Sequence, residues 1–243
     1  MTLTETRQFR AAKSVYDRLI ELLPDQRPML SVEKARITYL ATGDDAALRS
    51  AIASLPSSIA DDMGVALLRV DFALNHHDWL GARELLEKFK GTEDEEDLIG
   101  CYYILLARLQ TDQPGPAPPS FVEHREHLNQ KVQTSPEDTN LLGRLAIVDA
   151  WLHNKEAAIS EAKRAVEMLP ISEDAGEGPD MVKNLAIVYT WTDELDLAFE
   201  TLASLTKTPS GIYYGELKLD PRWAPLRKDP RFEKLLAELA PRD

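Results

Sequence analysis

The sequence LAIVDAW at residues 145–151 recurs as LAIVYTW at residues 185–191, with five identities in seven at an offset of 40 residues. A second spacing of 34 residues separates Pro136 from Pro170. The two spacings agree if the second unit carries six extra residues, and the Gly- and acid-rich segment 171–179 (ISEDAGEGP) is a loop that could hold them. The chain therefore contains an internal repeat, and repeats of this length predict stacked structural units.

Apolar and small residues within the repeated unit lie at helical spacing. They form two stripes, with a short polar turn at residues 153–155 between them: Leu142, Leu145, Ala146 and Asp149, then Ala158, Ala162 and Ala165. Small side chains let two helix backbones approach closely, so the unit is predicted to be an antiparallel helix pair. No alternating β pattern of useful length occurs in the chain, which predicts an all-α fold.

Earlier segments repeat this pattern in a more degenerate form. Residues 9–24 are expected to form the second helix of a unit whose first helix is missing, so the chain is expected to be part of a longer protein. Further pairs are predicted at residues 28–42 with 44–55, 59–74 with 79–90, and 97–109 with 120–132. The prolines of residues 111–119 forbid a helix there, and Pro119 is expected in the first turn of the next helix.

The repeated unit resembles the tetratricopeptide repeat (TPR). The consensus residues that it matches are Leu142, Leu145, Ala146, Ala158, Ala165 and Pro170. Asp149 replaces the consensus tyrosine, and Ala162 replaces a bulky residue. The next unit matches at Val182, Leu185, Ala186, Tyr189, Ala198, Leu202 and Leu205. The resemblance implies a right-handed superhelix of antiparallel helix pairs, with the first helix of each pair on the concave wall.

The C-terminal sequence LKLDPRWAPLRKDPRF at residues 217–232 resembles the ending of bacterial TPR regions that follow Ser/Thr kinase, nucleotide-cyclase or winged-helix regulatory domains. The apolar residues of the tail at residues 210–236 can cover the last open repeat: Trp223, Leu226, Phe232, Leu235 and Leu236. We therefore expect a TPR-like domain over residues 1–209, with roughly five helix pairs and a lone N-terminal helix. Residues 210–243 are expected to form a capping tail packed on the last repeat.

Composition excludes several classes of function. The formal net charge of −13 disfavours nucleic acid and anionic lipid as partners, because binding to phosphate backbones depends on Lys and Arg. The longest apolar run, residues 101–107, is far shorter than the roughly 20 residues that span a bilayer. The first ten residues lack the features of a secretory signal, and the single Cys101 cannot form an internal disulfide, so we expect a cytoplasmic protein.

Few residues are candidates for catalysis or metal binding. Cys101 lies in an apolar helical stretch, which predicts a buried and inert thiol. Two histidine pairs could share a metal, namely His124 with His127, and His76 with His77 beside Asp78, but no further ligands accompany either pair in sequence. The acidic residues 93–97 could attract a cation or a basic partner, although carboxylates also favour the start of a helix. We expect no catalysis, no cofactor and no metal.

The family resemblance assigns a partner-binding groove to the first helices of the two clear repeats. Its expected residues are Asn140, Gly143, Arg144, Ile147, Trp151, Asp180, Lys183, Asn184, Ile187 and Trp191. Some family members hold a peptide C-terminal carboxylate with Lys and Asn. Lys183, Asn184 and Arg144 resemble that clamp, but Ile147 and Ile187 stand where its key Asn would be.

Trp151 and Trp191 leave two roles open. Each indole either fills the seam between adjacent repeats or keeps an accessible edge that anchors a partner. The expected function is a scaffold that binds a protein or peptide in the concave groove. The alternative is a regulatory or sensory region of a larger bacterial signalling protein. The sequence predicts neither the identity of the partner nor the oligomeric state.

Overall fold

A computed structural model of the chain describes residues 2–56, 59, 63–88, 102 and 119–241. These residues contain helices and turns but no strand, which confirms the predicted all-α class for the described part of the chain. The α-helices are α1 (Phe9–Leu22), α2 (Arg27–Thr42), α3 (Ala46–Ala53), α4 (Met63–Asn75), α5 (Trp79–Glu87), α6 (Pro119–Thr134), α7 (Thr139–Trp151), α8 (Lys155–Met168), α9 (Gly178–Trp191), α10 (Leu195–Lys207), α11 (Tyr214–Leu219) and α12 (Pro230–Leu239). Short 3₁₀ helices occupy Pro24–Gln26 and Pro221–Leu226.

The two clear repeats form the helix pairs α7–α8 and α9–α10, and successive helices pack on one another. Both predicted stripes of the first repeat are buried, with exposures of 1% or less: Leu142, Leu145, Ala146, Asp149, Ala158, Ala162 and Ala165. Alanines at three contact positions of α8 let it lie close to α7. The helical spacing of apolar and small residues therefore predicted both the helices and the faces that they bury.

Three turns between paired helices share one backbone geometry. A non-glycine residue has a left-handed φ in each turn, 57° at His77, 64° at His153 and 63° at Asp193. The N–H of the next residue then donates to a carbonyl five residues back, at 2.9 Å in each case: Asp78 to Ala73, Asn154 to Asp149, and Glu194 to Tyr189. The α4–α5 pair thus has the same turn as the two clear repeats, which supports a repeat-like helical architecture.

The remaining predicted helices agree in type and differ in their ends. The helix predicted at 59–74 is α4, and the helix predicted at 79–90 ends at Glu87. Pro119 lies in the first turn of α6 as predicted. The helix predicted at 97–109, Cys101 and the acidic residues 93–97 lie outside the described residues, apart from the helical Tyr102.

Residues near the N-terminus contact the end of α10. The Arg7 guanidinium donates hydrogen bonds to the carbonyls of Leu205, Thr206, Thr208 and Ile212. The last carbonyls of a helix have no partner within the helix and carry partial negative charge, so a guanidinium is well suited to them. Burial lowers the pKa of Arg7, although Tyr213 and Glu216 oppose this shift.

Residues 210–241 pack both on α2, near the N-terminus, and on the last helix pair, α9–α10. Helix α11 packs on α2, the 3₁₀ helix Pro221–Leu226 packs on α9, and α12 packs on α10. Gly215 permits the first contact, because a Cβ at this position would lie 2.0 Å from the carbonyl oxygen of Tyr39. The tail thereby places residues 216–222 opposite α2 and α4. The predicted division into residues 1–209 and 210–243 stays a prediction.

Candidate functional site

A cavity of about 470 Å³ lies between α2, the start of α3, α4 and residues 216–222. We call it the Asp71 cavity. Its apolar wall includes Leu40, Leu68 and Phe72. Its charged groups, among the described lining residues, are Glu33, Asp45, Asp71, Glu216, Asp220, Arg36 and Arg222. Carboxylates therefore outnumber guanidinium groups by five to two in this cavity.

Most of these charged groups already have a partner of opposite charge. Arg36 lies 3.2 Å from Glu33, and Asp45 is paired with His76 and, at 3.6 Å, with Arg49. Asp220 accepts a hydrogen bond from the Arg222 Nε–H at 2.8 Å. Two basic groups of the lining are thus held by carboxylates of the same lining, which reduces their ability to attract an anion.

Asp220 shapes the tail where it enters the cavity. Its carboxylate accepts from the backbone N–H of Arg222 at 2.8 Å and so begins the 3₁₀ helix Pro221–Leu226. Its own carbonyl accepts from Arg227 at 2.9 Å. Burial opposes the charge of Arg222, but Asp220 first, and then Asp71 and Tyr102, together raise the pKa of Arg222. These contacts fix Arg222 as a permanently charged part of the wall.

Asp71 differs from the other carboxylates of the cavity. It is exposed to solvent, and it accepts a hydrogen bond from the Tyr102 hydroxyl at 2.9 Å. Within the described part of the chain it has no salt bridge. Surrounding protein atoms desolvate it and raise the pKa of Asp71 to about 6, although Arg222 and Tyr102 oppose the shift. Asp71 is therefore a residue with solvent-exposed surface whose carboxyl group lies where an unpaired negative charge is disfavoured.

Lys183, a predicted groove residue on α9, contacts Glu216, which lines the Asp71 cavity. The Lys183 ammonium lies 3.3 Å from Asp180 and 3.5 Å from Glu216, and its side chain is only 15% exposed. Burial opposes its charge, yet Glu216 and Asp180 together raise the pKa of Lys183. Glu216 also accepts from the backbone N–H of Tyr213 at 3.0 Å. Lys183 is thus engaged by the tail.

The predicted groove residues of α9 differ in how far other parts of the chain cover them. Ile187 is fully buried and Trp191 is 7% exposed. The Trp191 indole N–H donates to the carbonyl oxygen of Arg222 at 3.2 Å. This contact favours the packing role for Trp191 over the role of a partner anchor. Asp180 is exposed, and Asn184 is half-buried.

The predicted groove residues of α7 are more varied. Asn140 is exposed, while Arg144, Ile147 and Trp151 are half-buried. The Trp151 ring packs edge-on against Phe121 of α6 at 5.1 Å between centroids. Gly143 is buried where a Cβ would lie 2.8 Å from the Asn184 side-chain nitrogen. Gly143 and Asn184 therefore meet at the contact between α7 and α9.

Sequence reasoning did not select the residues that line the Asp71 cavity. Asp71 and Tyr102 stand in degenerate parts of the repeat pattern, and Asp220 and Arg222 belong to a segment interpreted only as a cap. A signal for them exists in the string Asp220-Pro221-Arg222, since Asp before Pro commonly begins a helical turn. Nothing in the sequence places that string opposite α4.

One candidate metal pair, His76 with His77, makes other contacts in the structure. His76 pairs with Asp45 and packs on Phe72, and His77 packs edge-on against Trp79. Among the residues that the structure describes, no group of three or more His, Cys, Asp or Glu side chains is arranged to hold a metal. No described helix is both long enough and apolar enough to cross a membrane.

Comparison with known proteins does not extend this description. No family model, curated protein or solved structure matches the chain. The assignment of a function therefore depends on the geometry and charge of the cavity and on the repeat pattern.

Proposed function

We propose that this chain is a non-catalytic binding module with a TPR-like superhelix that takes a protein or peptide partner on its concave face. We further propose that the partner inserts a basic side chain into the Asp71 cavity. One observation carries the second proposal: Asp71 is a solvent-exposed residue whose carboxylate has no salt bridge among the described residues, in a cavity whose other charges are largely paired.

The chemistry of the walls supports a Lys or Arg side chain as the group bound. Its aliphatic stem suits the apolar wall of Leu68 and Phe72, while its charged end can pair with Asp71. A cation at this position also compensates for the desolvation that raises the pKa of Asp71. An acidic side chain would instead face an excess of carboxylates, so the lining discriminates between the two by charge.

The groove over α9 contributes less to this proposal. The tail engages Lys183 and covers Trp191, so those residues support the wall rather than contact the partner. The α7 residues Asn140, Arg144 and Ile147 keep solvent-accessible surface and can extend the binding face.

The test is binding of short labelled peptides that are neutral except at a central residue, measured by fluorescence anisotropy. We expect binding with Arg or Lys at the centre, and none with citrulline or Glu. Asp71→Asn keeps an acceptor for Tyr102 but removes the charge. It should weaken binding roughly tenfold to a hundredfold, since a hydrogen bond to a charged group contributes about 1.5–3 kcal/mol.

The pH dependence of binding is a second measure of the same contact. A cation binds the ionised form of Asp71, so affinity should fall as the pH decreases through about 6, and Asp71→Asn should abolish that fall. The matched control is Glu200→Gln, which removes one negative charge, as Asp71→Asn does, from an exposed position on α10. It should change neither the affinity for the Arg peptide nor its pH dependence. Equal binding of the Arg and citrulline peptides would contradict the proposal.

A further inference from the structure

A buried carboxylate fastens three helices together at a distance from the Asp71 cavity. Asp149 of α7 is fully buried and accepts two hydrogen bonds from Arg125 of α6, Nε to Oδ1 at 2.8 Å and NH2 to Oδ2 at 2.9 Å. It also accepts from Asn154 in the turn before α8 at 2.6 Å. The paired repeat has Tyr189 at the equivalent position, so this ionic contact is particular to the first unit.

A second carboxyl group, that of Glu161 on α8, lies within hydrogen-bonding reach of Asp149. Its Oε2 atom is buried and has no hydrogen-bond partner among the described residues. Two ionised carboxylates have no donor between them and repel each other, whereas a proton on one of them supplies a hydrogen bond. Arg125 cannot compensate fully for both charges, because both of its short hydrogen bonds go to Asp149.

We propose that Glu161 holds a proton that it donates to Asp149, and that loss of this proton loosens the packing of α6, α7 and α8. The proposal does not depend on the Asp71 cavity or on its partner. It assigns the first repeat a pH-sensitive contact that the second repeat lacks.

Two charged groups act on Glu161, Asp149 of α7 and Arg125 of α6. Burial, and after it Asp149 of α7, together raise the pKa of Glu161 from its ordinary 4.5 to about 8, while Arg125 of α6 opposes the rise. Helix α9 also packs on α8, and its Lys183 is engaged by Asp180 and Glu216. The compensating cation is therefore Arg125, whose own pKa is raised by its hydrogen bonds to Asp149 in spite of burial.

The direction of the pH effect follows from the two states of Glu161. When the contact opens, solvent restores the ordinary pKa, so the open state releases its proton at lower pH than the packed state. The fraction of open molecules should therefore rise as the pH increases, by up to about tenfold per pH unit between the ordinary pKa and about 8, and then level off.

Hydrogen exchange of the wild-type chain, corrected for the intrinsic pH dependence of exchange, tests the proposal directly. Between about pH 5 and about pH 9, protection of amides in α6 and α8 should fall relative to amides in α10. Glu161→Gln donates to Asp149 at every pH, so it should remove the fall. Glu167→Gln, at an exposed position of the same helix, should retain it.

Constant relative protection of α6 and α8 in the wild type over this range overturns the proposal. So does a fall that persists unchanged in Glu161→Gln, because that fall would come from another group. If Glu161→Gln does not fold, a flat wild-type exchange profile still overturns the proposal. A flat profile means that Glu161 is not held protonated by Asp149.

Discussion

Replacing Trp223 with alanine should lower the free energy of unfolding by about 3–5 kcal/mol. The Trp223 side chain is 1% exposed and lies in the same core cluster as Trp191, Leu226, Phe232 and Leu235. Its removal leaves a cavity between the 3₁₀ helix and the α9–α10 pair, because neighbouring side chains relax only partly. Urea denaturation followed by far-UV circular dichroism measures the change.

Two further variants make this measurement specific. Trp223→Phe keeps most of the apolar volume and should cost less than Trp223→Ala. Trp79→Ala removes an indole that is only half-buried and packed on His77, and it should also cost less. If Trp223→Ala unfolds at the same urea concentration as the wild type, the tail does not stabilise the last repeat.

The helices and their buried faces could be predicted from the sequence because the evidence for them is local. The recurrence at residues 145–151 and 185–191 places apolar residues at helical spacing, and the structure buries most of them in α7 and α9. The apolar residues of the tail were predicted to cover the last repeat, and Trp223, Leu226 and Phe232 are buried. In each case, side-chain size and spacing within a few turns carried the information.

The candidate site could not be predicted in the same way, because its residues are distant in sequence. Asp71 of α4 and Asp220 of the tail line one cavity only because α11 packs on α2. No periodic pattern encodes that contact, and the family resemblance directed attention to the first helices of the two clear repeats instead. The tail covers Trp191, a predicted groove residue, because the 3₁₀ helix Pro221–Leu226 packs on α9.

Gly215→Ala should be among the most disruptive single-methyl changes in the tail. The added Cβ would lie 2.0 Å from the Tyr39 carbonyl oxygen, 2.9 Å from its carbonyl carbon and 3.3 Å from the Leu40 Cα, all of them backbone atoms of α2. Backbone within a helix cannot rotate away as a flexible side chain can, so α11 must separate from α2. We expect a loss of about 3 kcal/mol in the free energy of unfolding, at the upper end for overpacked sites.

The same variant separates the role of the tail in stability from its role in binding. Glu216, Asp220 and Arg222 follow Gly215 directly, so displacement of α11 removes one wall of the Asp71 cavity. Gly215→Ala should therefore weaken binding of the Arg peptide while the α9–α10 pair stays helical. Gly176→Ala is the matched control, since its Cβ would meet only the side-chain oxygen of Asp174 at 3.2 Å in an exposed loop. Suppose that Gly215→Ala keeps the stability and the peptide affinity of the wild type. Helix α11 then does not pack on α2, and residues 216–222 do not form a wall of the Asp71 cavity. That result would contradict the assignment of Asp71 as a binding site.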